Sequence, residues 1–302
     1  MQLRNVGDEI PKTVVVVCPA QRPSVEQGST KAQQCVCVGG GYYIIHYSMY
    51  NGAVSKPIKI SRSGLKLFLE CPRCFWLDVH HKIKRPPGYP YTLSAAVDYL
   101  VKQEFDKYRA KGTLPPVFAK ADALAGQAKL YPGEELSTWR NNFKGISYTD
   151  PHLNATLYGA VDDVLEFSDG SLAVVDYKSS GSREITIYDD YKKQMDTYNW
   201  ILDAMGHQTY PQAYFVFYQV DKTGGGFQNV LPFAESLHAV KVDISWVGLA
   251  FERAITTARR EATPAPSPEC VHCNYISNAT KYNLPILRAT DSDKDYVLVE
   301  GD

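Results

Sequence analysis

Gly159-Ala160-Val161-Asp162 and, beyond a turn, Val174-Val175-Asp176-Tyr177-Lys178 decide how this chain is read. Between them lies Ser168-Asp169-Gly170, a three-residue hairpin loop with Gly170 in the left-handed position. The pattern predicts strands over 157–167 and 172–178. The loop pairs Phe167 with Ser171, and counting outward opposes Asp162 to Asp176. Directly opposed residues share a face, with Cβ atoms roughly 4.5–5.5 Å apart. Lys178, two residues on, points to that face as well. Opposed carboxylates repel unless a cation lies between them; a divalent metal held by oxygen ligands, with Lys178 beside it, resolves the conflict. Asp163 falls on the other face and is not read as a ligand. A two-residue Asp169-Gly170 loop would instead separate the two aspartates. An edge hairpin with solvated charges is the plainer alternative.

Outward from the hairpin, a helix is predicted over 188–205, with Tyr191, Met195, Tyr198 and Leu202 on one stripe. Gln194 and Tyr198 stand four apart and share its face; periodicity alone makes Tyr198 a core residue. Ser61 or Ser63 can cap a short helix carrying Leu65, Leu67, Phe68 and Leu69. A longer helix over 92–110 shows Leu93, Val97, Leu100, Val101, Phe105 and Tyr108. A short helix near 118–129, strands over 213–220 and 239–244, and a last helix over 247–261 complete the order. Arg259 and Arg260 suit that helix's C-terminus. The order reads as α+β, or mixed α/β. It divides the chain into a poorly structured N-terminal extension (1–57), an organised domain (58–280) and a C-terminal tail (281–302). Met49 reads as an alternative start.

Among 302 residues, 44% are hydrophobic and 22% charged, which excludes a disordered or collagenous chain. No window approaches ~18 uncharged apolar residues, so no membrane span is expected. With a net charge of −1, a nucleic-acid partner needs a local basic patch. Seven cysteines are too few for a disulfide scaffold, and the odd count suits a reducing compartment, hence a cytoplasmic expectation. No phosphate-cradling G-x-x-x-x-G-K-[ST] or dinucleotide G-x-G-x-x-G stretch occurs, which weighs against a nucleotide-dependent small-molecule enzyme.

Gly159 to Asp162, then Asp176-Tyr177-Lys178, then Gln194 to Tyr198 together resemble the G-x-x-D, D-x-K and Q-x-x-x-Y motifs of the PD-(D/E)xK nuclease superfamily in its RecB-like branch. The resemblance spans about 61–276 and implies a restriction-endonuclease-like core, a central mixed sheet flanked by helices. It implies Mg²⁺- or Mn²⁺-dependent phosphodiester hydrolysis of DNA, single-stranded or end-containing, in repair, recombination or defence, with a helicase or repair partner. By similarity Asp162, Asp176 and the Tyr177 carbonyl hold the metal, Lys178 orients the attacking water, and Gln194 and Tyr198 position the strand or Lys178. The branch usually carries a histidine on its first core helix. None stands in 92–111, where Asp98 is the nearest acid and the candidate additional ligand. That departure sustains a second reading, a catalytically inactive nuclease-fold protein that binds nucleic acid or a partner. Lys82, Lys84, Arg85, Lys192 and Lys193 are the principal candidate phosphate contacts, with Lys102, Lys107 and Arg109 behind them.

Cys71 and Cys74 form one C-x-x-C, and Cys270 and Cys273 another. Four thiolates can close one tetrahedral Zn²⁺ site or hold one iron–sulfur cluster. The long separation is unlike a zinc ribbon. It resembles the RecB-like nucleases with an iron–sulfur staple, although the two-and-two split departs from their usual one-and-three. The resemblance inclines the reading toward [4Fe–4S] and leaves Zn²⁺ open. The four are expected to converge, with Cys18, Cys35 and Cys37 taking no part. His80 and His81 are expected at the surface.

Overall fold

The computed structural model describes residues 34–38, 42–46, 57–119, 121, 124 and 126–282. It divides into two units, Met1–Lys56 and Pro57–Asp302. In the first, β1 (Gln34–Val38) pairs antiparallel with β2 (Tyr42–His46). The rest of the expected N-terminal extension, and the tail beyond 282, lie outside the described residues.

The second unit begins with β3 (Ile58–Ser61) and α1 (Arg62–Glu70). Ser61 is the cap: its Oγ accepts the Gly64 N–H at 3.0 Å. Leu65 is buried, whereas Leu69 turns outward. The chain does not run on as one helix. Cys71 is extended, and α2 (Pro72–His81) starts afresh on Pro72, which has no N–H to leave unpaired. In α3 (Thr92–Lys111) the buried stripe is narrower than its apolar spacing suggests: Val101 and Phe105 are buried, Leu93 and Leu100 exposed. Gly112, at φ +66, ends it.

In place of a helix over 118–129, α4 (Pro116–Ala119) is followed by β4 (Ala128–Leu130). Then come α5 (Leu136–Trp139), β5 (Ile146–Asp150), β6 (Ala155–Gly159), β7 (Asp163–Phe167), β8 (Leu172–Ser180) and α6 (Asp189–Ala204). After α6 follow β9 (Gln212–Val220), β10 (Phe233–Lys241), α7 (Val247–Ala258) and α8 (Val271–Thr280). The expected strand over 239–244 is thus β10, displaced toward the N-terminus because Phe233 pairs with Val220 at the end of β9. Arg259 caps α7 rather than continuing it, and α8 had no counterpart in the apolar periodicity.

The single strand expected over 157–167 is two strands in two sheets. β6 lies central in a three-stranded sheet, β3-β6-β5, parallel to β3. β7 lies in a five-stranded sheet, β10-β9-β8-β7-β4, in which only β8 and β9 run parallel. Ala160, Val161 and Asp162 make the crossing, held by the Val161 N–H on the Trp139 carbonyl at 3.1 Å. Gly145, at φ +60, faces the turn: a Cβ there would lie 2.1 Å from the Gly159 oxygen. Two mixed sheets flanked by helices fit the restriction-endonuclease-like expectation. Among the described residues no helix is long and apolar enough to cross a membrane.

The hairpin register is the one the loop implies. Gly170 sits at φ +82, and Asp163↔Val175 through Glu166↔Leu172 pair as counted from it. One face, with Val164, Val174 and Phe215, packs with Met195 and Ile201 of α6 and Phe251 of α7. The other, with Leu165, Val175 and Val216, packs on Val101, Phe105 and Phe118. Asp163 is fully buried on this second face. Both its oxygens accept from Arg109 at 2.7 Å, and Oδ2 also accepts from Arg140 and the Tyr177 hydroxyl at 2.7 Å. This saturated carboxylate fixes the end of the hairpin from behind, and it draws Arg109 into the protein's own structure rather than out toward a phosphate.

Candidate active site and cysteine centre

Asp162 lies one residue before the first pair of β7, opposite Asp176 in the same register. Its Oδ2 accepts the Tyr177 backbone N–H at 3.0 Å. Asp176 is buried in the middle of β8; its Oδ1 accepts from the Gln194 amide at 2.7 Å, and its Oδ2 is ion-paired with Lys178. Gln194 also donates to the Tyr198 hydroxyl at 3.3 Å. The Lys178 ammonium lies 4.8 Å from the centroid of the Tyr191 ring, a cation–π contact that limits where it can move. Hairpin and α6 therefore bring Asp162, Asp176, Lys178, Gln194 and Tyr198 together.

Asp98 joins them from α3. Lys102, one turn on, places its ammonium 2.8 Å from both Asp98 Oδ2 and Asp162 Oδ1. Burial and the charge of Asp162 push the Asp98 carboxyl up; the Lys102 ammonium opposes them. Asp176 is pushed up to about 7, first by burial and then by Asp162, with Lys178 and Arg62 pulling the other way. Three acids thus crowd one site, and the deepest resists ionisation. Carboxylate oxygens with a backbone carbonyl are hard donors suited to Mg²⁺ or Mn²⁺, so the residues present fit such an ion.

Two contributors escaped sequence reasoning. Arg62, at the start of α1, brings a positive charge to bear on both Tyr198 and Asp176. Its only sequence signal is its place beside the Ser61 cap. Lys102 stood among the surface phosphate candidates; its position four residues after Asp98 is the signal that could have separated it.

Gly159 serves close packing. A Cβ there would lie 2.5 Å from Cε1 of the Tyr198 ring and 3.4 Å from the Arg62 Cβ. Gly159→Ala is therefore expected to cost about 1–3 kcal/mol by overpacking and to displace Tyr198. Urea unfolding monitored with a cleavage assay checks this; an unchanged midpoint would refute it.

The candidate phosphate contacts disperse. Lys82, Lys84, Lys192 and Lys193 are exposed, Lys82 bonding the Val79 carbonyl at 3.1 Å and Lys192 pairing with Asp189 at 3.2 Å. Arg85 turns inward, pairing with Glu70 and donating to Cys270 Sγ at 3.6 Å. His80 and His81 are exposed, but the His80 ring stacks on Trp76 and its Nε2 contacts the Ala258 carbonyl at 2.8 Å.

Cys71, Cys74, Cys270 and Cys273 bring their sulfurs within 4.8 Å of one another. Cys74 Sγ lies 3.6 Å from both Cys270 and Cys273, and Cys71 lies 3.8 Å from Cys273. Burial pushes the Cys74 thiol up, and Cys273 rises for the same reason. Four soft donors at tetrahedral spacing suit a thiophilic metal or an iron–sulfur cluster. Cys18 lies outside the described residues, as do the side chains of Cys35 and Cys37.

A model of the PD-(D/E)XK nuclease superfamily matches residues 59–277. A solved structure titled "Crystal structure of SSO0001" is 11% identical, the match covering 70% of this chain and 82% of that one at a TM-score of 0.33, a likeness too low to carry an argument. No curated protein matches.

Proposed function

The chain belongs to the PD-(D/E)XK nuclease superfamily, and we propose that it is a metal-dependent DNA nuclease of the RecB-like branch. The observation that carries this reading is the meeting of Asp162, Asp176 and Lys178 at one end of the hairpin, with Gln194 and Tyr198 behind them. DNA with single-stranded or free-end character is the proposed substrate, repair, recombination or defence the setting, the cytoplasm the location, and a helicase or repair protein the partner.

Asp162, Asp176 and the Tyr177 carbonyl would hold Mg²⁺ or Mn²⁺, with Asp98 as an additional ligand. When bound, such an ion polarises the attacked phosphate and lowers the pKa of a coordinated water. Lys178 supplies a fixed positive charge, anchored by Asp176 and the Tyr191 face, to orient the water and offset charge on the phosphate. Gln194 orients Asp176, and Tyr198 carries Gln194. The four cysteines would hold a [4Fe–4S] cluster, or Zn²⁺ in its place.

The full chain incubated with Mn²⁺ and single-stranded or duplex DNA is expected to cleave, and EDTA to stop it. Lys178→Ala should lower the rate about 10²–10³-fold while leaving DNA affinity nearly unchanged. Binding without cleavage under any divalent metal would favour the second reading, a nuclease-fold protein that binds without cutting. That reading draws on an α3 without histidine and on the Lys102 ammonium bridging Asp98 and Asp162.

A further inference from the structure

A cavity of about 530 Å³ opens beside Lys178, and Tyr91, Asp98, Ser179, Tyr191 and Tyr218 stand around it. Of the four tyrosines around it, Tyr91, Tyr191 and Tyr218 come from different elements: the residue before α3, the first turn of α6, and the end of β9. Tyr91 is 81% exposed, and its side chain makes no capping bond to α3. Tyr191 presents one surface to Lys178, so cavity and candidate active site share a wall.

We propose that this cavity is a stacking site for one unpaired nucleobase, that of the nucleotide next to the bond being cut. This rests on the nuclease reading above and adds to it a base-binding site with named residues. The volume lies within the ~300–1,000 Å³ typical of small-ligand pockets. Tyrosine faces stack on any base, because every base has a π-face. Bases in a duplex have both faces covered by their neighbours, so only a base freed from pairing and stacking can enter. Apart from Asp98, which the metal claims, and Lys178, the polar side chains around the cavity are hydroxyls. The site therefore accepts bases with little sequence preference. With the base on Tyr91, the adjoining phosphate falls toward Lys178.

The test uses the full chain with EDTA present, so that nothing is cut, and short DNA strands carrying 2-aminopurine at successive positions. Stacking quenches this base, and quenching is expected at one or two neighbouring positions on binding of single strands, with none on an intact duplex. Tyr91→Ala should remove the quench and weaken strand binding by roughly ten-fold or more; Tyr91→Phe should restore both. With Mn²⁺, Tyr91→Ala should raise KM, and Tyr91→Phe should restore it. Cleavage and binding with the quench unchanged in Tyr91→Ala, or an equal quench on the duplex, would overturn the stacking site and leave the nuclease reading standing. Failure of any DNA to bind under every metal condition would overturn both.

Discussion

Magnesium or manganese added to the metal-free chain is expected to raise its melting temperature by several degrees, and Asp176→Asn to abolish that response while itself stabilising the metal-free chain. The reason is the position of this carboxylate. Asp176 is buried, opposes Asp162, and is pushed up to about 7 by burial and then by that neighbour. A carboxyl whose folded pKa exceeds its ordinary 3.8 opposes folding once ionised: the penalty is absent below about pH 4, grows as pH rises toward 7, and stays in full above it. A pKa unit corresponds to about 1.4 kcal/mol; asparagine gives up the Lys178 ion pair to Oδ2, which offsets part of the gain, so about 1–3 kcal/mol is expected. Asparagine keeps the Gln194 bond to Oδ1 and removes the charge. For a domain of this size each kcal/mol moves the midpoint by about 2–4 °C. A bound cation stabilises the unaltered chain instead, by about 2.7 kcal/mol at a hundred times its Kd. Melting curves at pH 8, with EDTA and then with each metal, give both numbers without any DNA. An equal metal response in Asp176→Asn and the unaltered chain would remove the two aspartates as the metal-binding pair.

That carboxylate pair was legible in the sequence because the information is local. Ser168-Asp169-Gly170 determines the loop, Gly170 accepts the left-handed conformation, and the register follows by counting. The break at Ala160–Asp162 was not legible. The apolar pattern runs through it, and what splits β6 from β7 is Gly145 packing on the Gly159 carbonyl and Trp139 capturing the Val161 N–H. Both partners are distant in sequence. The same holds for Asp163, whose arginines stand 54 and 23 residues away. Periodicity places it on the far face and says nothing of what neutralises it there. β4, with three residues, is too short to show an alternation. Arg62 shows the remaining difficulty: a single exposed-looking cation at a helix start acquires its role only when α1 and α6 meet.

The cysteine centre makes the largest demand on the fold, and Cys74→Ala is expected to lose the bound metal or cluster and to lower stability by about 5 kcal/mol. Cys74 is the choice because its sulfur contacts those of both Cys270 and Cys273. The bridge it completes closes a loop of about 200 residues, Cys71 to Cys273 being 202 apart. In the loop-closure picture such a tie is worth about 5 kcal/mol, which converts to a fall of roughly 10–20 °C. The ends do not depend on sulfur alone. Arg73 donates to the Pro264 carbonyl at 3.0 Å, and Trp76 to that of Arg260 at 2.8 Å. These bonds hold α2 to the segment after α7 on the same side of the molecule. The variant should therefore fold at low temperature, melt early, and retain metal-dependent cleavage while folded, since Asp176 and Lys178 lie on β8 and Asp162 just before β7, apart from α2 and α8. A brown protein whose visible colour disappears in Cys74→Ala identifies an iron–sulfur cluster; a colourless one with a single zinc per chain identifies zinc. All seven thiols reacting freely in the unaltered protein as purified, together with an unchanged melting temperature in Cys74→Ala, would reduce the centre to four cysteines in contact.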